Sequence, residues 1–227
     1  MKGIVRSLRV MCCLFLITSA VYAQHTERKW AFGYSGTPWL RPVLTSNPMN
    51  KSLGRGFRAF SLAGEYYLSQ KWSVEAGYFR TEIGYSRRTM EGLQAGVKKY
   101  FVRPDFFIQP YIAGAAQFNW GRHIEGANYD HDAYYAKNPR ISFVPGIGTE
   151  IYLLSPIALV ARYNFNIGIN SSTTVDVKPE SGEAYILKDK GLFHQLELGV
   201  KITFPFRFSD EEGEGLLNVI REGLFFD

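Results

Sequence analysis

A period of two runs through this chain in segment after segment, and it leaves few folds open. Ile141, Phe143, Pro145, Ile147, Thr149, Ile151 and Leu153 alternate with Ser142, Val144, Gly146, Gly148, Glu150 and Tyr152. Ile157, Leu159, Ala161, Tyr163, Phe165, Ile167 and Ile169 alternate with Ala158, Val160, Arg162, Asn164, Asn166 and Gly168. The sharpest case sets Leu196, Leu198, Val200, Ile202, Phe204 and Phe206 against Gln195, Glu197, Gly199, Lys201 and Thr203. Successive side chains of an extended strand point to opposite faces, so each segment reads as a long strand with one apolar and one polar face. Weaker versions occupy residues 29–39, 56–68, 72–84, 89–102 and 106–121, which predicts eight strands in an all-β, antiparallel, up-and-down barrel. No stretch after Ala23 holds the roughly 18 apolar residues of a helical membrane span.

The connections alternate in length. Ser69-Gln70-Lys71, Arg103-Pro104-Asp105 and Leu154-Ser155-Pro156 supply the polar or proline chemistry of tight turns. Residues 40–55, 85–88, 122–139 and 171–190 form the other four connections, and three of these are expected to be long polar loops. Both chain ends then fall on the short-turn side.

The first 23 residues read as a signal peptide. Lys2, Arg6 and Arg9 make a basic start, Val10 to Ile17 an apolar core, and Val21-Tyr22-Ala23 a small-residue cleavage site before Gln24. Cys12 and Cys13 both lie in this segment, so residues 24–227 contain no cysteine, which removes disulfides, thiolate catalysis and cysteine metal sites. The segment also takes three of the chain's 26 basic residues, leaving 23 against 21 acids. The chain's basicity is therefore mostly an export feature, and no nucleic-acid partner is inferred from it. The expected organisation is a signal peptide over 1–23, a barrel over 24–208 and a C-terminal tail over 209–227.

Alternation alone does not say which face of the barrel points inward. A soluble lipocalin-type barrel turns its apolar face in and meets water with lysine and glutamate. Here the polar face is mostly small and uncharged, as at Ala59, Ser61, Ala63, Ala113, Ala115, Gln117, Asn119, Gly146, Gly148, Asn164 and Asn166. Such residues suit a cramped lumen. The few charges on that face come in both signs, and Glu65, Glu75, Lys98, Glu150, Arg162, Glu197 and Lys201 are expected to fill the lumen as a structural ion-pair network, because an unpaired buried charge costs several kcal/mol. Aromatics gather at strand ends beside the short turns: Tyr66, Tyr67, Trp72, Tyr100, Phe101, Phe106, Phe107, Tyr152, Phe204, Phe206 and Phe208. Girdles of this kind sit at membrane interfaces. The sequence therefore predicts a transmembrane barrel of the outer membrane, with short periplasmic turns and longer loops outside.

Three stretches carry a resemblance: Tyr66 to Gly77, Gly96 to Gly114 across the Arg103 turn, and Pro145 to Pro156. They resemble the hairpins of the small outer-membrane β-barrel superfamily, which includes OmpA-transmembrane-like and OmpX-like proteins, in the form met in Bacteroidota. The likeness spans most of residues 29–208. It implies a closed, side-chain-filled barrel, with roles ranging from structural anchoring and adhesion to subunits of larger assembly or secretion complexes; the expectation taken from the whole sequence is a non-enzymatic barrel with a structural or accessory role, surrounded by lipid and lipopolysaccharide. No cofactor follows from it. Fold likeness of this sort does not fix a function.

The tail departs from the pattern, since such barrels usually end on an aromatic, here Phe206 or Phe208. The chain instead continues through Ser209 to Asp227, where Leu216, Leu217, Ile220 and Leu224 have the spacing of a short amphipathic helix able to meet a leaflet or a partner subunit.

Two other readings stay open. Some small barrels are lipid-modifying enzymes with a histidine and a serine or acid near the rim. Here His123, His131 and His194 belong to the long-loop side, His25 stands at the expected mature N-terminus, and Ser171 and Ser172 are the serines that approach from the next loop. Asp130-His131-Asp132, with Glu125, is the densest polar cluster and a weak candidate for a divalent cation, without the ligand spacing of a dedicated site. Arg87, Arg88, Arg122 and Lys137 near the outer rim are candidates for lipopolysaccharide phosphates. The second reading is transport of a small hydrophobic molecule through the wall, where Pro110 and Pro145 on the fifth and sixth strands interrupt ladder hydrogen bonding.

Overall fold

The computed structural model describes residues 28–46, 57–83, 88–104, 106–121, 124–129, 132–177 and 184–204. The expected signal peptide, the tail from Ser209, Phe206, Phe208, His25 and His123 lie outside them.

Among the described residues eleven strands form one antiparallel sheet: β1 (Trp30–Ser46), β2 (Phe57–Tyr67), β3 (Trp72–Ile83), β4 (Arg88–Tyr100), β5 (Ile108–Asn119), β6 (Ile124–Tyr129), β7 (Asp132–Lys137), β8 (Ile141–Leu154), β9 (Ile157–Gly168), β10 (Ser172–Val177) and β11 (Tyr185–Phe204). Eight of these close a barrel in the order β1-β2-β3-β4-β5-β8-β9-β11. Closure is made by β1 against β11, running from Trp30 opposite Phe204 up to Gly36 opposite Leu198 without a slip. The eight-stranded, all-β barrel expected from the alternation is thus the fold.

The tight turns lie where turn chemistry puts them. Leu68 N donates to the Trp72 carbonyl at 2.9 Å, and Lys71 N to Ser69 Oγ at 3.3 Å. Pro156, in the β8–β9 turn, offers its carbonyl to Thr203 N at 2.7 Å and ties that turn to β11.

The long connections correct the sequence reading. Residues 122–139 and 171–190 are not plain loops: β6, β7 and β10 lie within them and extend the sheet from the upper part of β11 in the order β11-β10-β7-β6. Likewise β1 continues past residue 39 to Ser46, and β11 begins at Tyr185, with Leu44 opposite Asp189 beyond a bulge. The reason is the same period of two on a polar background. Thr173 and Val175 of β10 are buried with Ala136 and Leu187 on one face, while Ser172, Tyr135 and Lys188 on the other are exposed.

The lumen is not polar throughout. At its long-connection end Leu40, Phe79, Ile83, Met90 and Phe193 turn inward and pack together, with Phe57 against them. This apolar plug was not foreseen, because each strand contributes just one or two of these residues and none breaks the local alternation. Pro110 sits in unbroken register opposite Thr149. At Pro145 the β8–β9 ladder skips Val144 and Pro145, resuming in the same register at Gly146 opposite Asn164.

Candidate functional site

The short-turn half of the lumen is an ionic cluster drawn from six strands. Lys98 Nζ of β4 lies 2.9 Å from Glu65 Oε2 of β2, 3.1 Å from Glu75 Oε2 of β3 and 3.7 Å from Glu150 Oε1 of β8. Arg162 Nη1 of β9 donates to Glu75 Oε1 at 2.7 Å. Lys201 Nζ of β11 pairs with Glu150 and sits 3.4 Å from Glu65. Six of the seven lumen charges named from the sequence are brought together in this way. Glu197 stands apart: it faces Arg162 across the β9–β11 ladder, accepts from Gln195 Nε2 at 2.9 Å and makes no ion pair among the described residues.

Neutral donors complete the cluster. Ser73 Oγ donates to Glu65 Oε1 at 2.5 Å, and Tyr152 Oη to Glu150 Oε2 at 3.0 Å. Tyr100 Oη lies 2.6 Å from Glu65 and 2.8 Å from Glu150, so one phenolic proton serves two carboxylates. Lys201 Nζ donates to Tyr67 Oη at 2.6 Å. This corrects the girdle expected from the sequence. Tyr67, Tyr100 and Tyr152 are lumen residues, because each lies two positions from a lumen charge (Glu65, Lys98, Glu150) and therefore shares its face. Trp72, Tyr66, Phe101, Phe106, Phe107 and Phe204 do face outward at that end. Below the cluster, the Arg28 guanidinium stacks 3.7 Å over the Tyr152 ring and donates to Gln109 Oε1 at 3.2 Å.

Toward the plug the lining turns to amides. Asn166 Nδ2 donates to Gln117 Oε1 at 2.8 Å, and Gln117 Nε2 to Gln94 Oε1 at 3.3 Å. A polar cavity of about 40 Å³ lies beside them, walled by Ser35, Ser61, Glu75, Tyr111, Arg162 and Glu197. That is the scale of water molecules. Gly148 lets Tyr111 lie flat against the wall: a Cβ there would stand 2.6 Å from Tyr111 Oη and 2.8 Å from the Ala161 carbonyl. Gly148→Val is therefore expected to cost about 1–3 kcal/mol by overpacking, read as a lower urea midpoint of the barrel refolded in vesicles.

The other candidates are placed as follows. His194 points out of the barrel, with Nδ1 2.5 Å from Tyr163 Oη and its ring against Phe165. Ser171 Oγ donates to the Lys137 carbonyl at 3.1 Å. His131, Asp130, Arg87 and Arg122 lie outside the described residues, as do the side chains of Glu125, Asp132 and Arg88. Lys137 Nζ donates to Asn170 Oδ1 at 3.3 Å.

The wall's two faces carry opposite chemistry. Ile147 is 61% exposed on the outside, with Phe32, Leu62, Leu93, Phe143, Leu159, Leu198 and Val200 on the same surface, whereas Glu150, three residues along the same strand on the inner face, is wholly buried. Water does not tolerate such an outer surface, and hydrocarbon accepts it when every strand is paired around a closed ring. The wall is that of a membrane-spanning β-barrel. Its outer apolar band is bordered by Trp30, Tyr66 and Trp72 at the short-turn end and by Trp39, Phe118 and Trp120 toward the other. No helix among the described residues is long and apolar enough to cross a membrane, which bears on helices alone.

No family model matches the barrel's sequence, and no curated protein matches it. Among solved structures it is similar to the N-terminal β-barrel domain of Pseudomonas aeruginosa OprF, at 14% identity and TM-score 0.48, over 79% of this chain and 100% of that one. Neisserial surface protein A is similar at 12% identity and TM-score 0.48, over 77% and 96%. The Yersinia pestis outer membrane protein Ail is similar at 12% identity and TM-score 0.42, over 78% and 99%. Identities and scores this low carry no functional argument.

Proposed function

We propose that this is a non-enzymatic outer-membrane barrel, exported by residues 1–23, whose work is structural or accessory and is done by its surfaces. The filled lumen supports this reading. A buried ionic cluster occupies one half and an apolar plug the other, and the polar cavity between them is of water scale. Eight strands enclose a space just wide enough for side chains. Among the described residues the side chains placed against His194 are Tyr163 and Phe165, not the serine and acid of a nucleophile triad. The surfaces left for partners are the sheet extension outside and residues 209–227 inside, which suits a subunit of a larger envelope assembly surrounded by lipid and lipopolysaccharide.

Purification from gently solubilised membranes should recover a stoichiometric protein partner, lost on deleting residues 209–227. Planar bilayers containing the purified barrel should show no step of nanosiemens size. Such a step, or altered lipid A mass on deleting the protein, would contradict the accessory reading.

A further inference from the structure

The outer wall of β1, β2 and β11 carries an apolar hollow of about 400 Å³, bordered by Phe32, Tyr34, Leu62, Gly64, Val200 and Ile202. It exists because Gly64 faces outward without a side chain; a Cβ there would touch nothing nearer than the Phe32 ring at 3.5 Å. Strand register fixes its position. Phe32 lies across from both Gly64 and Ile202, and Tyr34 across from both Leu62 and Val200, two and four positions from the Tyr66, Trp30 and Phe204 row of the aromatic border. At about 3.3 Å per residue, these two rows lie about 7 and 13 Å along the strands from that border.

The chain leaves the wall beside this hollow. β11 ends at Phe204, next to Ile202 on the same outward face, and residues 205–227 follow, outside the described residues. Their sequence has two parts. Asp210, Glu211, Glu212 and Glu214, interrupted by Gly213 and ended by Gly215, make an acidic run that belongs in water. Leu216, Leu217, Ile220 and Leu224 then fall on one side of a helix, with Asn218 and Glu222 on the other. A helix this short is marginal in water and needs a surface for its apolar side. In a membrane interface that side sinks about 5–10 Å, which reaches the row of Phe32, Gly64 and Ile202. Residues 205–215 are long enough to turn the chain back, since they span up to about 36 Å when extended.

Charge agrees with the same path. Lys29, whose backbone N donates to the Phe204 carbonyl at 3.0 Å, is exposed at the point of exit, and Lys71 is exposed in the neighbouring β2–β3 turn. Among the described residues neither is in an ion pair. An acidic run leaving Phe204 therefore meets free cations at the rim before the apolar segment begins.

We propose that residues 216–224 dock as a helix on this wall of their own barrel, seating Leu217, Ile220 and Leu224 over Gly64 and turning Asn218 and Glu222 to water. The inference rests on the membrane-spanning wall. It adds to the accessory reading that the tail is held against the barrel, with its polar side left for a partner.

Because residues 24–227 contain no cysteine, an introduced pair is the sole pair of thiols in the vesicle-refolded barrel, whose folding is verified by heat-modifiable migration on a gel. Gly64→Cys with Ile220→Cys is oxidised with copper phenanthroline beside Ile112→Cys with Ile220→Cys. Ile112 faces outward near the short-turn end of β5, across the ring from β1. The first pair should close its disulfide at least about tenfold faster than the second. Gly64→Cys with Glu222→Cys, on the polar side of the helix, should lag as the Ile112 pair does. In a barrel carrying Leu62→Cys with Ile220→Cys, adding Gly64→Phe fills the hollow and should slow closure by a similar factor. Equal rates at Gly64 and Ile112, no preference for Ile220 over Glu222, or indifference to Gly64→Phe overturns the docking and leaves the barrel standing. Failure to give a heat-modifiable folded band counts against the membrane-spanning wall, and with it the docking.

Discussion

Replacing Lys201 with Met is expected to lower the unfolding free energy of the vesicle-refolded barrel by about 3–5 kcal/mol. Lys201 pairs with Glu150, lies 3.4 Å from Glu65 and donates to Tyr67, all inside a wall that excludes solvent. Its removal leaves Glu150 facing Lys98 at 3.7 Å as the nearest remaining cation. The cost arises less from the lost attraction than from the uncompensated carboxylate left behind. Adding Glu150→Gln to Lys201→Met should therefore recover part of the loss, giving a coupling energy in a double-mutant cycle. Urea titrations followed by tryptophan fluorescence measure all three variants. A loss below about 1 kcal/mol for Lys201→Met, a value typical of an exposed pair, would mean that the cluster is hydrated and open.

Ile147→Arg tests the outer face in the same assay. Ile147 stands near mid-height of β8 on the outside. A cation at the midplane of the lipid face of a barrel costs about 2–4 kcal/mol, falling to about 0–1 kcal/mol near the interface. Ile141→Arg, on the same face at the long-connection end of β8, is expected to fall in the lower range. Equal and small effects at both positions would contradict a lipid-facing band.

Much of the wall was legible because a strand needs no distant information to declare its faces. Residues 141–153 and 157–169 announce β8 and β9 through thirteen-residue alternations, and Ser69-Gln70-Lys71 announces the turn that joins β2 to β3. Parity also marks the tyrosines, since Tyr100 and Tyr152 share faces with Lys98 and Glu150. Composition misled in the connections. Ser172 to Val177 and Asp132 to Lys137 look like polar loops, yet they pair as strands because Thr173, Val175 and Ala136 have a buried face to fill.

The site was less legible, for a physical reason. Which face a residue takes is set by its own parity, but which acid meets which base depends on the stagger of neighbouring strands. Glu75 reaches Arg162, distant by 87 positions in the chain. No local pattern encodes that meeting. The plug is hidden in the same way, since Leu40, Phe79, Met90 and Phe193 converge from four strands.

The central claim is that the apolar face of the wall lies in lipid and the charged face inside a closed lumen. Because residues 24–227 contain no cysteine, spin labels can be placed singly along β9 at Leu159, Val160, Ala161, Tyr163 and Asn164 in the vesicle-refolded protein, and their collision rates with molecular oxygen and with a water-soluble nickel chelate compared. Labels at Leu159, Ala161 and Tyr163 should meet oxygen readily and the chelate hardly at all, with those at Val160 and Asn164 shielded from both; ready access of the chelate to the first three would contradict the inside-out barrel.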